Sequence, residues 1–387
     1  FSGGMDVKYG INDAFTLDMT LIPDFSQVQS DNQVLNLSPF EVQFNENRPF
    51  FIEGTELFNK GNFFYSRRIG GTPVNYGSVF SDKYKNFTVV ENPRETKMLN
   101  GTKVSGRTES GLGIGIFNAV VGNSYAVLDS AGTKVEVETQ PLTNYNITVF
   151  DQSLRNNSFV TLINTNVMRA GSTYDANLTG VVFRLANKSN KYAVNGRGAL
   201  SQQFFTNDTK RGYMYRVGVG KVSGNFQYRF SHAVESDTYN PNDMGILFTN
   251  NSVEENVHLQ YNKLDPFWKF LNMYTSIGAE YERRYKPDAF QDFTIYGNLR
   301  GTFKNFWNAG LWWNAKPVEG NDFFEPRVSG RHYIMPRSMG FGTWVSTDSR
   351  KKLMLEIEMN YRNFDENDRR SFGFSVSPRY QISDRLT

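Results

Sequence analysis

The chain of 387 residues has no cysteine and three histidines. The first absence excludes disulfides, thiolate-bound zinc or iron–sulfur centres and a thiol nucleophile. The histidines, His232, His258 and His332, lie far apart and in no H-E-x-x-H context, so no metal site is expected. The formal net charge is only +3, and the basic pairs Arg67-Arg68 and Arg283-Arg284 belong to no longer basic run. That argues against a nucleic-acid surface. No stretch approaches 18 consecutive apolar residues, which excludes a membrane-spanning helix, and there is no signal-peptide pattern. Helical periodicity is nearly missing; one turn near 265–270 is the sole candidate. There is no G-x-S-x-G elbow. In "GLGIGIFNAVVG", Gly111, Gly113 and Gly115 alternate, which reads as a strand with a glycine face rather than a phosphate-binding loop. No catalytic residue and no cofactor are assigned.

What the chain has is aromatic side chains, 33 Phe and 20 Tyr, and 33 Gly, with a mean hydropathy of -0.51. Its recurring signal is period-two alternation, the signature of strands. Leu353, Leu355, Ile357, Met359 and Tyr361 share one face against Lys352, Glu356, Glu358, Asn360 and Arg362. Tyr213, Tyr215, Val217 and Val219 alternate with Arg216, Gly218 and Gly220. After a glycine-containing turn, Phe226, Tyr228 and Phe230 alternate with Gln227, Arg229 and Ser231, a hairpin pattern. Similar runs place Phe15, Leu17, Met19 and Leu21 on one face, and likewise Tyr145, Ile147 and Val149 opposite Asn146 and Thr148. About 16 to 18 strands are expected in all.

Several runs reach the roughly 9 to 11 residues that a spanning strand needs. Their ends carry aromatics, including Phe303, Trp307, Trp312, Trp313 and Tyr380, as the girdles of membrane barrels do. So many strands in series would make a very large soluble sheet, whereas a barrel closes its edges. The expected fold is all-β: an antiparallel transmembrane β-barrel of 16 or more strands, over residues 1–387, in the bacterial outer membrane. Both ends begin or stop beside strand patterns, so the chain is expected to be a fragment cut at both ends. Glu356 and Glu358 lie about 7 Å apart on one strand face, and read as a solvated wall rather than a catalytic pair. The N-x-S/T triplets at Asn146 and Asn177 are read as coincidence.

Residues 22–62 depart from the alternation. Their centre, "FEVQFNENRPFFIEG", packs four Phe, three Glu, an Arg and a Pro into residues 40–54. A long irregular insertion in a compact unit is functional or covers something, and irregular backbone at membrane depth is tolerated only inside protein or a wet cavity. This segment is expected to be a plug or lumen constriction. Glu41, Glu46 and Glu53 are expected to pair with basic groups, Arg48 to bridge carboxylates through its planar fork, and Pro49 to stiffen the turn before Phe50 and Phe51. Tyr65, Arg67 and Arg68 complete the candidate set.

Residues 22–54 and the following "LFNKGNFFYSRRIGG" also resemble the opening of the C-terminal half of a Bacteroidota protein family. That half is a domain of unknown function. The N-terminal half of the family is a β-sandwich like a family 9 carbohydrate-binding module. The shared core is Glu46, Arg48, Pro49, Phe50, Phe51, Glu53 and Gly54, then Tyr65, Ser66, Arg67, Arg68, Ile69 and Gly70. The chain departs from the pattern at Gln29, where an acid is usual, and Asn47, where Lys is common. The resemblance implies an outer-membrane barrel behind the sandwich. Because the sandwich is not in this chain, the resemblance places no sugar-binding residue here. The expected function is handling or passing a substrate, a glycan for example, at the cell surface. The alternatives are a closed barrel acting as a docking scaffold, and a carbohydrate-active protein whose activity lies in the N-terminal part. The expected partners are the lipid bilayer, a surface lipoprotein or outer-membrane complex, and a glycan; nucleic acid is not among them.

Overall fold

A computed structural model describes residues 4–23 and 31–382. Part of the insertion, residues 24–30 with Gln29, lies outside the described residues. Seventeen strands form one antiparallel sheet, as expected from the alternation. In chain order they are β1 (Met5–Gly10), β2 (Phe15–Leu21), β3 (Met98–Arg107), β4 (Leu112–Val121), β5 (Thr143–Leu154), β6 (Ser158–Arg169), β7 (Asp175–Ala186), β8 (Tyr192–Phe204) and β9 (Thr209–Lys221). Then follow β10 (Phe226–Glu235), β11 (Ser252–Lys263), β12 (Phe270–Arg284), β13 (Ala289–Phe303), β14 (Asn308–Lys316), β15 (Ser338–Ser346), β16 (Leu353–Phe364) and β17 (Arg370–Tyr380). No described helix is long and apolar enough to cross a membrane. The helical turn expected near 265–270 is instead a tight turn closed by reciprocal backbone hydrogen bonds between Phe267 and Phe270, 3.0 and 2.8 Å.

The chain divides into two compact units. The first comprises Phe1–Arg184, Gly196–Tyr215 and Glu235–Asn250. In it β1 to β7 pair each with the next. One face of β3 to β7 is covered by the irregular segment that follows β2, and the main core lies between them. It gathers Phe51, Leu57, Phe58, Phe63 and Ile69 from the segment and Phe117, Val121, Ile147, Val149, Ile163 and Val167 from the strands. The irregular segment continues past residue 62, because the next main-sheet strand begins only at Met98. A satellite sheet of Thr88–Glu91, Ser124–Ser130 and Thr133–Gln140 has its own small core around Val79, Ala126 and Leu128.

Which face of these strands is apolar differs from the simple expectation. Tyr145, Ile147 and Val149 are buried on the covered face, and Asn146 and Thr148 stand on the open one. The reason is that a covering segment needs an apolar wall to pack on, so β4 to β6 are apolar on both faces over part of their length. Their open face carries Ile116, Phe150 and Leu162, all exposed.

The second unit comprises Leu185–Asn195, Arg216–Val234 and Asn251–Thr387. Here β11 to β17 are antiparallel neighbours in sequence order. Their lengths run from 9 residues in β14 to 15 in β12 and β13. The alternation is clean. Val257, Leu259, Ile277, Leu299, Leu311, Phe341, Ile357, Phe374 and Val376 are exposed on the apolar face. Glu254, His258, Ser276, Asn298 and Glu358 lie on the other.

Candidate plug motif

The two halves of the motif, around Arg48 and around Ser66, fold onto each other. Pro49 opens a four-residue helix, Pro49–Ile52, with Arg48 as its extended cap, a position where the missing proline N–H costs nothing. This turns Arg48 back on Glu46. Its Nε donates to Glu46 Oε1 at 2.9 Å and its Nη2 to Glu46 Oε2 at 2.7 Å, a planar fork on a carboxylate. The same guanidinium donates to the Ile69 carbonyl at 2.7 Å and the Ser66 carbonyl at 2.9 Å. The Ser66 hydroxyl donates to Glu46 at 2.6 Å, and the guanidinium lies 4.1 Å from the centre of the Phe51 ring. Gly70 has φ +83° and sits beside Arg48, where a Cβ would come within 3.2 Å of Nη1. An L side chain there would be strained and would press on the fork.

Burial alone would raise the pKa of Glu46, but the hydrogen bonds and charge of Arg48, with the Ser66 hydroxyl, outweigh it and hold the carboxyl below its ordinary value. The pair is nearly dry, with side-chain exposures of 9% for Arg48 and 13% for Glu46.

The other acids and bases are also paired. Glu41 meets Arg68, one contact being 3.0 Å, and Arg68 Nε donates to the Gly245 carbonyl at 2.9 Å. Arg67 donates to Asp31 at 2.7 Å and to the Asn45 carbonyl at 2.6 Å. Glu53 pairs with Lys8 of β1 at 2.9 Å, both well exposed. The Tyr65 backbone N–H donates to the Met244 carbonyl at 2.7 Å, and its hydroxyl accepts from the Phe44 N–H at 3.0 Å. Phe51 is buried, and Phe50 packs against the same core.

Sequence reasoning missed Lys103 of β3. Its ammonium, almost fully buried, donates to the carbonyls of Phe50 and Glu53 and lies 3.7 Å from Asp18. It thus holds the carbonyls around the short helix. A lone lysine in a strand gives no local signal of such a partner. The glycine face of β4 did carry a signal: a Cβ on Gly115 would meet Phe58 at 3.0 Å, and one on Gly113 would meet Leu57 at 3.0 Å. Gly101 in β3 and Gly180 in β7 face Phe50 and Phe63 in the same way. Bare backbone on the wall is what lets the aromatic segment approach.

The arrangement is a structural clamp. Its one hydroxyl–carboxylate contact, Ser66 to Glu46, is taken up by the Arg48 fork, and no cluster of His, Asp and Glu among the described residues could hold a metal.

The model of a domain of unknown function, DUF5916, matches residues 1–387. The chain belongs to the DUF5916 family. The match takes in all the strands as well as the motif. No curated protein matches the chain. Among solved structures, OccK9 (OpdG) of Pseudomonas aeruginosa is similar at 10% identity and a TM-score of 0.41, over 78% of this chain and 87% of that one. OccK5 (OpdH) of the same organism is similar at 12% identity and a TM-score of 0.23, over 76% and 95%.

Proposed function

We propose that this DUF5916 chain is a bacterial outer-membrane β-barrel through which a small polar substrate passes, with the segment around residues 40–70 as a fixed constriction. The observation that carries the reading is the bare apolar face of β11 to β17. Soluble monomers rarely expose a contiguous apolar patch beyond a few hundred Å², whereas here seven neighbouring strands present one. The opposite face of the same strands is polar, as a water-filled interior requires. In the first unit the segment covers one face of β3 to β7, pinned by Arg48, Arg68 and Lys103. Glu41, Glu46, Arg48, Pro49, Phe50, Phe51, Glu53, Tyr65, Arg67 and Arg68 then belong to the plug rather than to a catalytic centre. For the whole protein, a Bacteroidota origin and an N-terminal carbohydrate-binding sandwich remain part of the proposal, with a glycan as the substrate class.

The test is conductance in planar bilayers. Deleting residues 40–54 should raise single-channel conductance, and Glu41→Ala with Arg68→Ala should raise it less. Unchanged conductance in both would remove the constriction role. Recovery of the protein from cells as a detergent-free soluble monomer would remove the barrel.

One observation favours a second reading, self-association of the barrel through the open face of the first unit. On the open face of the first unit, Thr102, Asn118, Asn146, Asn166 and Asn177 stand in one cross-strand row over β3 to β7. Asn118 donates to Asn146 within the row at 2.7 Å, and Asn177 of the row accepts from its neighbour Asn164 at 3.1 Å. Uncharged amides carry a donor and an acceptor each, so the row is self-complementary and fits a second copy of this chain across a two-fold axis. Cross-linking in native membranes that yields a dimer, lost in Asn146→Leu with Asn166→Leu, would support it; a monomer throughout would exclude it.

A further inference from the structure

On the polar face of the second unit, aromatic rings sit over glycines of the wall. Register places Trp312 of β14 opposite Gly342 of β15, and Trp344 of β15 opposite Gly310 of β14. Tyr296 of β13 stands opposite Gly278 of β12. In each pair the ring covers the glycine: a Cβ on Gly342 would run into the Trp312 indole, one on Gly310 into Trp344, and one on Gly278 would be 2.5 Å from the Tyr296 ring. Trp312 keeps 37% of its surface exposed, whereas the Tyr296 ring stacks on His258 with centroids 6.2 Å apart. The sequence pattern suggested an interfacial girdle for Trp312 and Trp313 together. The strand period separates them instead. Trp313 covers Gly297 on the apolar face, and Trp312 belongs to the wet one.

Polar groups border the rings. Asn298 is the cross-strand partner of Trp312, and Arg300 of Gly310. Asn298 Nδ2 donates to Ser276 Oγ at 2.8 Å, leaving its carbonyl oxygen for another partner. The Arg300 guanidinium lies 5.0 Å from the Tyr274 ring centre. Together with His258 and Gln260 these residues line an open cavity of about 390 Å³, within the size range of small-molecule sites. No carboxylate lines it.

We propose that this cavity binds the pyranose rings of an uncharged oligosaccharide, stacking them on Trp312 and Trp344 and hydrogen-bonding their hydroxyls to Asn298 and Arg300. The chemistry matches on both counts. A pyranose presents a face of C–H bonds, which an aromatic face attracts through its negative quadrupole, and an edge of hydroxyls that both donate and accept. Amides answer both roles, while Arg300 only donates. An anionic ligand would call for more than one cation, and the nearest carboxylate in register, Glu358 opposite Trp344, is not among the lining residues. The inference deepens the proposed passage by giving its wall a ligand, and rests on that reading for the side of the sheet that is wet.

The experiment is isothermal titration of the full chain in detergent with maltotriose, cellotriose and chitotriose, and with adenosine monophosphate as a planar rival. At least one trisaccharide should bind. Trp312→Ala with Trp344→Ala should weaken it at least tenfold, Asn298→Leu with Arg300→Met should weaken it while leaving the rings in place, and Trp313→Phe on the opposite face should leave it unchanged. The proposal is overturned if no trisaccharide binds, if only the nucleotide binds, or if neither double variant weakens binding. Conductance is read separately: sugar binding without conductance would leave the site standing and remove passage.

Discussion

Replacing Arg48 with alanine tests the clamp directly. The side chain makes four hydrogen bonds, two to Glu46 and one each to the Ile69 and Ser66 carbonyls. Truncation leaves the Glu46 carboxylate nearly dry, with the Ser66 hydroxyl and the residue 48 backbone N–H as donors and Arg67 Nε 3.9 Å away as the remaining cation. Removing one partner of a buried pair costs about 3–5 kcal/mol, and the pair's low exposure argues against discounting that for solvent screening. Against a total stability of roughly 5–15 kcal/mol, such a loss is readily seen. Glu46→Leu in the same background removes the stranded charge, so the double variant should be more stable than the sum of the two single losses predicts, by about 1–3 kcal/mol. Full recovery is not expected, because the two carbonyls still lack their donor. Urea unfolding in detergent, followed by tryptophan fluorescence and by gel mobility, gives all four corners of the cycle. A loss below about 1 kcal/mol for Arg48→Ala, or strict additivity, would refute the argument that the motif is held by this fork.

Three further outcomes follow from the same geometry. Gly180→Ala puts a methyl 2.6 Å from the ring of Phe63, which is 3% exposed and has no room to turn; it should cost about 1–3 kcal/mol, whereas Gly198→Ala, with nothing nearer than 3.6 Å, should be neutral in the same urea series. Lys103→Met removes the donor to two carbonyls around the short helix and should cost about 1–3 kcal/mol, with equal stability to the parent counting against a role for the ammonium. Because the folded-state pKa of Glu46 is depressed, its contribution is complete above the ordinary carboxyl value of 4.5 and is lost as pH falls through the lower folded value. Urea midpoints should therefore hold from pH 7 to 5 and fall below about pH 4, with the fall reduced in Arg48→Met.

The strands of the second unit were legible because each face meets a uniform medium, so period two runs from Leu355 to Arg362 with Met354 as an interruption before it. The first unit was harder. Where an aromatic segment covers the wall, Tyr145, Ile147 and Val149 face that segment, and alternation alone does not say which face is open. The motif residues were legible as a group from their density of charge and aromatic character, and the acids did find cations. Their partners were not all legible. Lys8, Lys103 and the Met244 and Gly245 carbonyls are distant in sequence, and two of those partners are backbone, which carries no sequence signature. The glycines of β3, β4 and β7 were the one overlooked clue, since bare positions on several neighbouring strands imply something bulky lying against them.

The contact between Arg68 and the Gly245 carbonyl spans 177 residues, and that span sets an order of events. The motif's own contacts are local in sequence, while those to the receiving turn are not. Glu46 and Arg48 can pair early, since they are two residues apart, but the hold of Arg68 and Tyr65 on residues 244 and 245 waits for β3 to β10. That turn is itself fixed by Asp243, which takes Arg169 of β6 at 2.7 Å and Gln203 of β8 at 3.0 Å. Closing so long a loop costs entropy that only the finished sheet repays. The hold of the motif on this turn is therefore tied to the completed sheet through Asp243.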